Sequence, residues 1–221
     1  MNHAYFLTGT DTEIGKTFVT CTLLERGRLD GLRAVGLKPI AAGTDAGGVN
    51  DDVARILTAS NVALPPEIIN PYCFKSAIAP HLAAREERID IDFGVIRTAC
   101  NHARQQADLV IVEGVGGFCV PLGVDRNSAD LAVDLNLPVI LVVGMRLGCL
   151  SHTLLTVEAI AARGLLLAGW VANCIDPAMS HFEENLATLQ ALLPEPLLGV
   201  VPHNPPGGAQ GAAAFLKLPS F

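Results

Sequence analysis

The chain has little charge and no excess of the positive kind. Only 17% of its 221 residues are Asp, Glu, Lys or Arg, and the formal net charge is −7. That balance argues against a nucleic-acid partner, because phosphate-backbone binders carry a basic face. Membrane-length apolar runs are also missing. Half of the residues are apolar and mean hydropathy is positive, yet the longest runs, 137–144 and 165–171, fall far short of the roughly 20 residues of a spanning helix. No basic start or sufficient apolar stretch marks a signal peptide, so a cytoplasmic protein is expected. Six cysteines are scattered without a C-x-x-C pair, which leaves buried free thiols in place of zinc or redox motifs. His81, His102, His152 and His181 lack metal-ligand spacing and read as structural or exposed.

What is present is a regular alternation of β-rich and amphipathic stretches. Strands are expected at 4–8, 34–38, 109–113, 139–144, 167–173 and 197–201, and helices at 16–29, 51–60, 91–106, 128–136, 150–163 and 180–193. Ser180 with Glu183 reads as a capping box, and Gly164 stands where a helix C-cap belongs. Near-continuously apolar strands alternating with helices imply an α/β fold, a mostly parallel sheet with helices on both faces. The stretches 41–50 and 61–88 break the rhythm, and 204–221, with paired prolines and glycines, is expected to be a loosely held tail. No second domain is indicated over 1–221.

Directly after the first strand and before the first helix stands Gly9-Thr10-Asp11-Thr12-Glu13-Ile14-Gly15-Lys16-Thr17. This is the setting of a P-loop, where glycines let the backbone approach phosphate and the helix start supplies free amides. Lys16 is placed to neutralise β- and γ-phosphate charge, and the Thr17 hydroxyl to ligate Mg²⁺. The leading glycine is Gly9, one residue earlier than the common spacing puts it.

Ligands of open parallel sheets bind beyond the C-terminal strand ends, and those ends collect the unusual polar residues. Lys38 closes the second strand before Pro39. Glu113 closes the third as a Walker-B-like carboxylate, and Gly114-Val115-Gly116-Gly117 behind it leave room for a ligand. Arg146 to Ser151 leads into a helix and forms a second candidate anion site. Asn173 and Pro202-His203-Asn204 close the last two strands.

These residues together resemble the dethiobiotin synthetase family. The agreement runs in order through GTDTEIGKT, GLKPIAAG, NPYCF with IAPH, VEGVGG, PVILVVGMRLGCLSH, AGWVAN and PLLGVVP, nearly the whole chain. The resemblance implies a P-loop fold and an ATP-dependent ligase that joins CO₂ to 7,8-diaminononanoate through a carbamate and a carbamic–phosphoric anhydride. It also implies that Thr12, Glu13, Ile14, Gly15, Lys16, Thr17 and Phe18 hold the phosphates, that Asn173, Pro202, His203 and Asn204 meet the adenine, and that Lys16, Lys38 and Thr12 serve the chemistry. Thr17, Asp52 and Glu113 would form the Mg²⁺ shell, with Asp51 a neighbouring alternative to Asp52. A homodimer is implied, the substrate lying against Lys38, Ala42 and Gly116 with its carboxylate at the partner's helix start, Gly148, Cys149, Leu150 and Ser151. Ala42 departs from the family, which carries a hydroxyl residue there; a substrate hydrogen bond is either lost or taken over by Thr44 or a backbone group.

Three other kinds of P-loop protein fit these residues less well. A switch ATPase of the partitioning type would carry a lysine where Asp11 stands and a membrane-targeting tail. Another amidoligase would need a glutamine-hydrolysing module, for which the chain has no room. A degenerate nucleotide binder would not keep Lys16, Thr17, Lys38 and Glu113 together.

Overall fold

A computed structural model describes residues 3–220. Its strands are β1 (His3–Gly9), β2 (Ala34–Leu37), β3 (Ile40–Ala42), β4 (Tyr72–Phe74), β5 (Leu109–Glu113), β6 (Val139–Gly144), β7 (Leu167–Asn173) and β8 (Leu197–Val201). The helices are α1 (Lys16–Leu29), α2 (Asp51–Ala59), α3 (Pro66–Ile69), α4 (Pro80–Glu87), α5 (Phe93–Gln106), α6 (Ser128–Leu135), α7 (Cys149–Ala162), α8 (Phe182–Leu192) and α9 (Gly208–Ala212). Six strands form one sheet in the order β2-β5-β1-β6-β7-β8, every pairing parallel. Strands β1, β5 and β6 are apolar along most of their length, with Glu113 closing β5, because both faces are covered, and alternate side chains feed two separate cores. Phe6, Val110, Val112, Leu141 and Trp170 pack with α5, α6, α7 and α8. Leu7, Leu109, Ile111, Val142 and Val171 pack with α1, α2 and α9. Burying these apolar surfaces is the main force holding the layers together.

Connections run from β1 toward β2 on one side and on to β6, β7 and β8 on the other. The strand order therefore reverses around β1 and β5, which opens a crevice at their C-terminal ends. That crevice receives the loop after Gly9 and the side chain of Glu113. Among the described residues no helix is long and apolar enough to cross a membrane, and all six cysteines are free.

Three expectations are corrected. The irregular stretch 61–88 contains α3, β4 and α4, and β4 pairs with β3 as a second, two-stranded parallel sheet. The helix at 182 has no capping box: its N-cap is His181 in the left-handed region (φ 56°), without a side-chain cap. The capping box is at α6, where Asn127 and Asp130 cap each other's backbone amides. The tail also is not loose over 204–220. Ala212, Ala213 and Leu216 are buried, and the Lys217 amide donates to the Leu198 carbonyl at 2.9 Å. The tail thus covers the open edge of β8, an edge that would otherwise invite pairing with another chain. Gly164, with φ 68°, does stand just past the end of α7, as expected of a C-cap.

Candidate active site

The loop between β1 and α1 is fastened by its backbone. The Thr10 amide donates to the Val142 carbonyl at 3.0 Å, and the Asp11 carboxylate accepts the Thr12 amide at 2.7 Å and pairs with Arg146. Glu13 and Gly15 take positive φ (57° and 82°). At Gly15 the need for glycine is steric as well, since a Cβ there would lie 2.3 Å from Asn173 Nδ2. Asn173 Nδ2 donates to the Ile14 carbonyl at 2.7 Å, so the end of β7 holds the loop from the far side. Gly9 is explained by packing, because a Cβ there would come 2.6 Å from Ile14 Cδ1. The early leading glycine is therefore compatible with a wound phosphate loop. Gly15 caps α1 with no side chain, which leaves the helix-start amides and the positive dipole end open to an anion.

Behind the loop lies a buried polar cluster centred on Glu113, 1% exposed. Its Oε1 accepts the Thr17 hydroxyl at 2.7 Å and the Lys38 ammonium at 2.6 Å, and its Oε2 accepts the Thr20 hydroxyl at 2.6 Å. Lys38, 4% exposed, also donates to the Gly114 carbonyl at 3.1 Å and stands 3.6 Å from Asp52 Oδ2. Lys16 donates to the Asp11 carbonyl at 2.7 Å. Burial, and next the neighbouring Lys38, push its ammonium down to about 8. A buried cation weakened this way gains most when a phosphate arrives.

Two clefts meet at the loop. One of about 800 Å³ is lined by Thr12, Lys16, Thr17, Lys38, Asp52 and Glu113, with Ala42, Val115 and Gly116. A second of about 450 Å³ is lined by Asn173, Cys174, Pro202, His203 and Asn204. Glu13, Gly15 and Phe18 line both, so a ligand crossing the loop would reach from one into the other. A further cavity of about 820 Å³, with Arg85, Arg88 and Arg126 but also Asp90 and Asp125, shares no residue with either.

The structure brings most of the residues singled out from the sequence to these two clefts, but not Gly148 to Ser151. Ile14 lies buried under the loop and takes part through its carbonyl. The adjacent aspartates separate: Asp51 pairs with Arg55 at 2.7 Å, its side chain 75% exposed, whereas Asp52 turns to Lys38. Ala42 lines the larger cleft and Thr44 does not; the Thr44 amide is bonded to the Lys75 carbonyl at 3.2 Å. Gly148, Cys149, Leu150 and Ser151 line neither cleft of their own chain.

A family model described as an AAA domain matches residues 3–210. The ATP-dependent dethiobiotin synthetase BioD of Aromatoleum aromaticum (strain DSM 19018 / LMG 30748 / EbN1) is 58% identical over 219 residues, covering 98% of this chain and 97% of that protein. The chain belongs to the dethiobiotin synthetase family.

The fold of this family member is shared more widely. The septum site-determining protein MinD complexed with Mg-ADP from Pyrococcus horikoshii OT3 superposes with a TM-score of 0.56 at 16% identity, over 96% of this chain and 86% of that one. The cell division protein FtsY of Thermotoga maritima gives 0.54 at 13% identity, over 97% and 68%. Such likenesses concern the fold alone. Within the synthetase site, Thr20 and Asn50 go unnoticed in the sequence, as does the pairing of Arg146 with Asp11. Thr20 had a signal: it stands three residues after Thr17, on the same helix face. Asn50 had one as well, an Asx residue just before a helix that opens with two carboxylates. Arg146 belonged to a stretch noticed only as a possible anion site, and its pairing with Asp11 joins residues far apart in sequence.

Proposed function

We propose that this chain is an ATP-dependent ligase that makes dethiobiotin from 7,8-diaminononanoate and CO₂, releasing ADP and phosphate. The observation that carries the reading is the pair of buried lysines, Lys16 and Lys38, flanking one cleft beneath a phosphate loop. An amine of the diamine adds to CO₂ with loss of a proton, and a carbamate oxygen then attacks the γ-phosphorus as the bond to ADP breaks. The second amine attacks the carbonyl carbon of the mixed anhydride, closing the ureido ring and expelling phosphate and a proton. No step needs a covalent bond to the protein. Fixed positive charge around a transferring phosphoryl group is the main requirement, and Lys16 at the phosphates, Lys38 at the carbamate and Thr12 at the cleft mouth supply polar contacts there.

Mg²⁺ fits the residues present. Thr17, Asp52 and Glu113 offer a hydroxyl and two carboxylates around Lys38, the hard oxygen donors this ion prefers. Among the described residues no group of three or more His, Cys, Asp or Glu is gathered for a metal. That suits an ion completed by substrate phosphates and water instead of a protein cage. When bound, the ion would neutralise charge developing on the phosphate oxygens.

The smaller cleft is assigned to adenine, which Asn173, Pro202, His203 and Asn204 would meet. The substrate carboxylate is assigned to the start of α7 in a second subunit of a homodimer. This placement agrees with Gly148 to Ser151 lying outside the cleft of their own chain. The enzyme is proposed to work in the cytoplasm without nucleic acid or membrane partners.

Phosphate release from Mg-ATP, with mass detection of the product, tests the reading. Release should require both the diamine and bicarbonate and should yield dethiobiotin; ATP hydrolysis indifferent to both would refute it. Lys38→Ala should lower turnover by about 10³-fold while ATP affinity changes little, as expected of a group acting mainly in the transition state.

A further inference from the structure

A buried carboxylate is stable only when its oxygens are supplied with donors. Glu113 meets this demand unevenly. Two donors, Thr17 and Lys38, serve Oε1, while among the described residues Oε2 has one hydrogen-bond donor, the Thr20 hydroxyl at 2.6 Å. Thr20 is fully buried and lines neither cleft. It also behaves unlike a helical threonine left to itself, which bonds back to a carbonyl of its own helix. Thr22 does that, donating to the Phe18 carbonyl at 2.8 Å, whereas Thr20 spends its proton across the layer on β5.

We propose that Thr20 is a positioning residue that fixes the rotation of the Glu113 carboxylate and so presents Oε1 to Thr17, Lys38 and the cation. The terminal torsion of a glutamate side chain is broad and close to two-fold, so packing alone does not decide which oxygen faces the cleft. Spacing on α1 does decide it. Residues three apart share a helix face, and Thr17 and Thr20 grip the two oxygens from one side. Without the Thr20 hydroxyl, Oε2 is left buried without a donor, and the carboxylate turns to share Lys38 between its oxygens. That turn spoils Oε1 as a ligand. Thr20 touches neither nucleotide nor diamine. The inference rests on the reading of Thr17, Asp52 and Glu113 as the Mg²⁺ shell.

Thr20→Val keeps the shape and removes the hydroxyl, whereas Thr20→Ser keeps the hydroxyl and removes a methyl group. The probe is Mn²⁺ titrated into the full-length chain with ADP, followed by electron paramagnetic resonance, beside metal-free ADP affinity and thermal melting. Thr20→Val should bind Mn²⁺ about tenfold more weakly, with metal-free ADP affinity within about twofold of the unaltered chain, and Thr20→Ser should stay near that chain on both counts. A Thr20→Val chain that folds and binds Mn²⁺ normally would overturn the proposal. So would Thr20→Ser losing as much as Thr20→Val, since packing would then be the cause. Should Thr20→Val fail to fold, Thr20→Ala against Thr20→Ser isolates the same hydroxyl. Dethiobiotin formation by the unaltered chain is assayed in parallel. If it is absent while the Mn²⁺ pattern holds, the proposed reaction fails and the positioning role stands; if it is present while Mn²⁺ binding is unmoved, Thr20 has no such role.

Discussion

Lys16 carries opposite demands for stability and for binding. Its ammonium, ordinarily near 10.5, is pushed down to about 8, first by burial and then by Lys38. A cation whose folded value is depressed destabilises the folded state most below that value, where it is charged in both states. The penalty is about 3 kcal/mol and is relieved as pH rises from about 8 to 10.5. Lys16→Met should therefore raise the melting temperature of the ligand-free chain at pH 7, while ATP affinity falls by about 100-fold or more. Arriving phosphate reverses the sign: it favours the charged form, so ATP binding near pH 8.5 should draw a proton from solution. Calorimetry in two buffers of different ionisation enthalpy measures that uptake, and heats independent of the buffer would contradict it. The neighbouring choice between Asp51 and Asp52 shows where the sequence stopped informing. Two adjacent carboxylates are equivalent until helix α2 rotates them about 100° apart, one toward Arg55 and the other toward Lys38.

At the scale of elements, α2 depends on Asn50. Its side-chain oxygen accepts the Val53 amide at 3.2 Å, and its Nδ2 donates to the Gly43 carbonyl at 2.6 Å. The same residue thus caps the helix that carries Asp52 and ties down the loop beyond Ala42. Asn50→Ala should destabilise the chain by about 1–2 kcal/mol in urea unfolding and raise the Mg²⁺ concentration needed for half-maximal turnover. Loss of stability with an unchanged Mg²⁺ requirement would separate the cap from the site. The six strands of the main sheet were legible to within a residue or so, because burial on both faces writes them as unbroken apolar runs. Strands β3 and β4 were not: three residues each leave no periodicity to read. Helix α4 was hidden by the prolines around it, although Pro80 merely occupies its first turn, where a proline is tolerated. The tail's glycines and prolines suggest a loose segment, whereas its hold on the sheet comes from a few apolar contacts and the Lys217–Leu198 hydrogen bond.

At the scale of the whole molecule, a layered sheet shared with septum-site and FtsY proteins at 13–16% identity leaves specificity to the loops at the strand ends. The phosphate loop is complete within one chain, but the start of α7 lies outside its own cleft. Leu147, 96% exposed, stands just before that helix and Leu155 is exposed along it, so the face suits burial against a second copy. The site-sharing part of this arrangement can be tested separately from dimerisation. Lys16→Ala disables the cleft of its own subunit, and Ser151→Glu places a carboxylate where the substrate carboxylate is proposed to dock, so each homodimer should be nearly inactive. Co-expression of the two under separate tags yields mixed dimers in which the cleft of the Ser151→Glu chain faces the intact α7 start of the Lys16→Ala chain. One working site per mixed dimer, with mixed dimers half of the population, restores about a quarter of the unaltered turnover. If each cleft instead drew on the α7 start of its own chain, mixing would restore nothing, because every subunit would still carry one defect of its own.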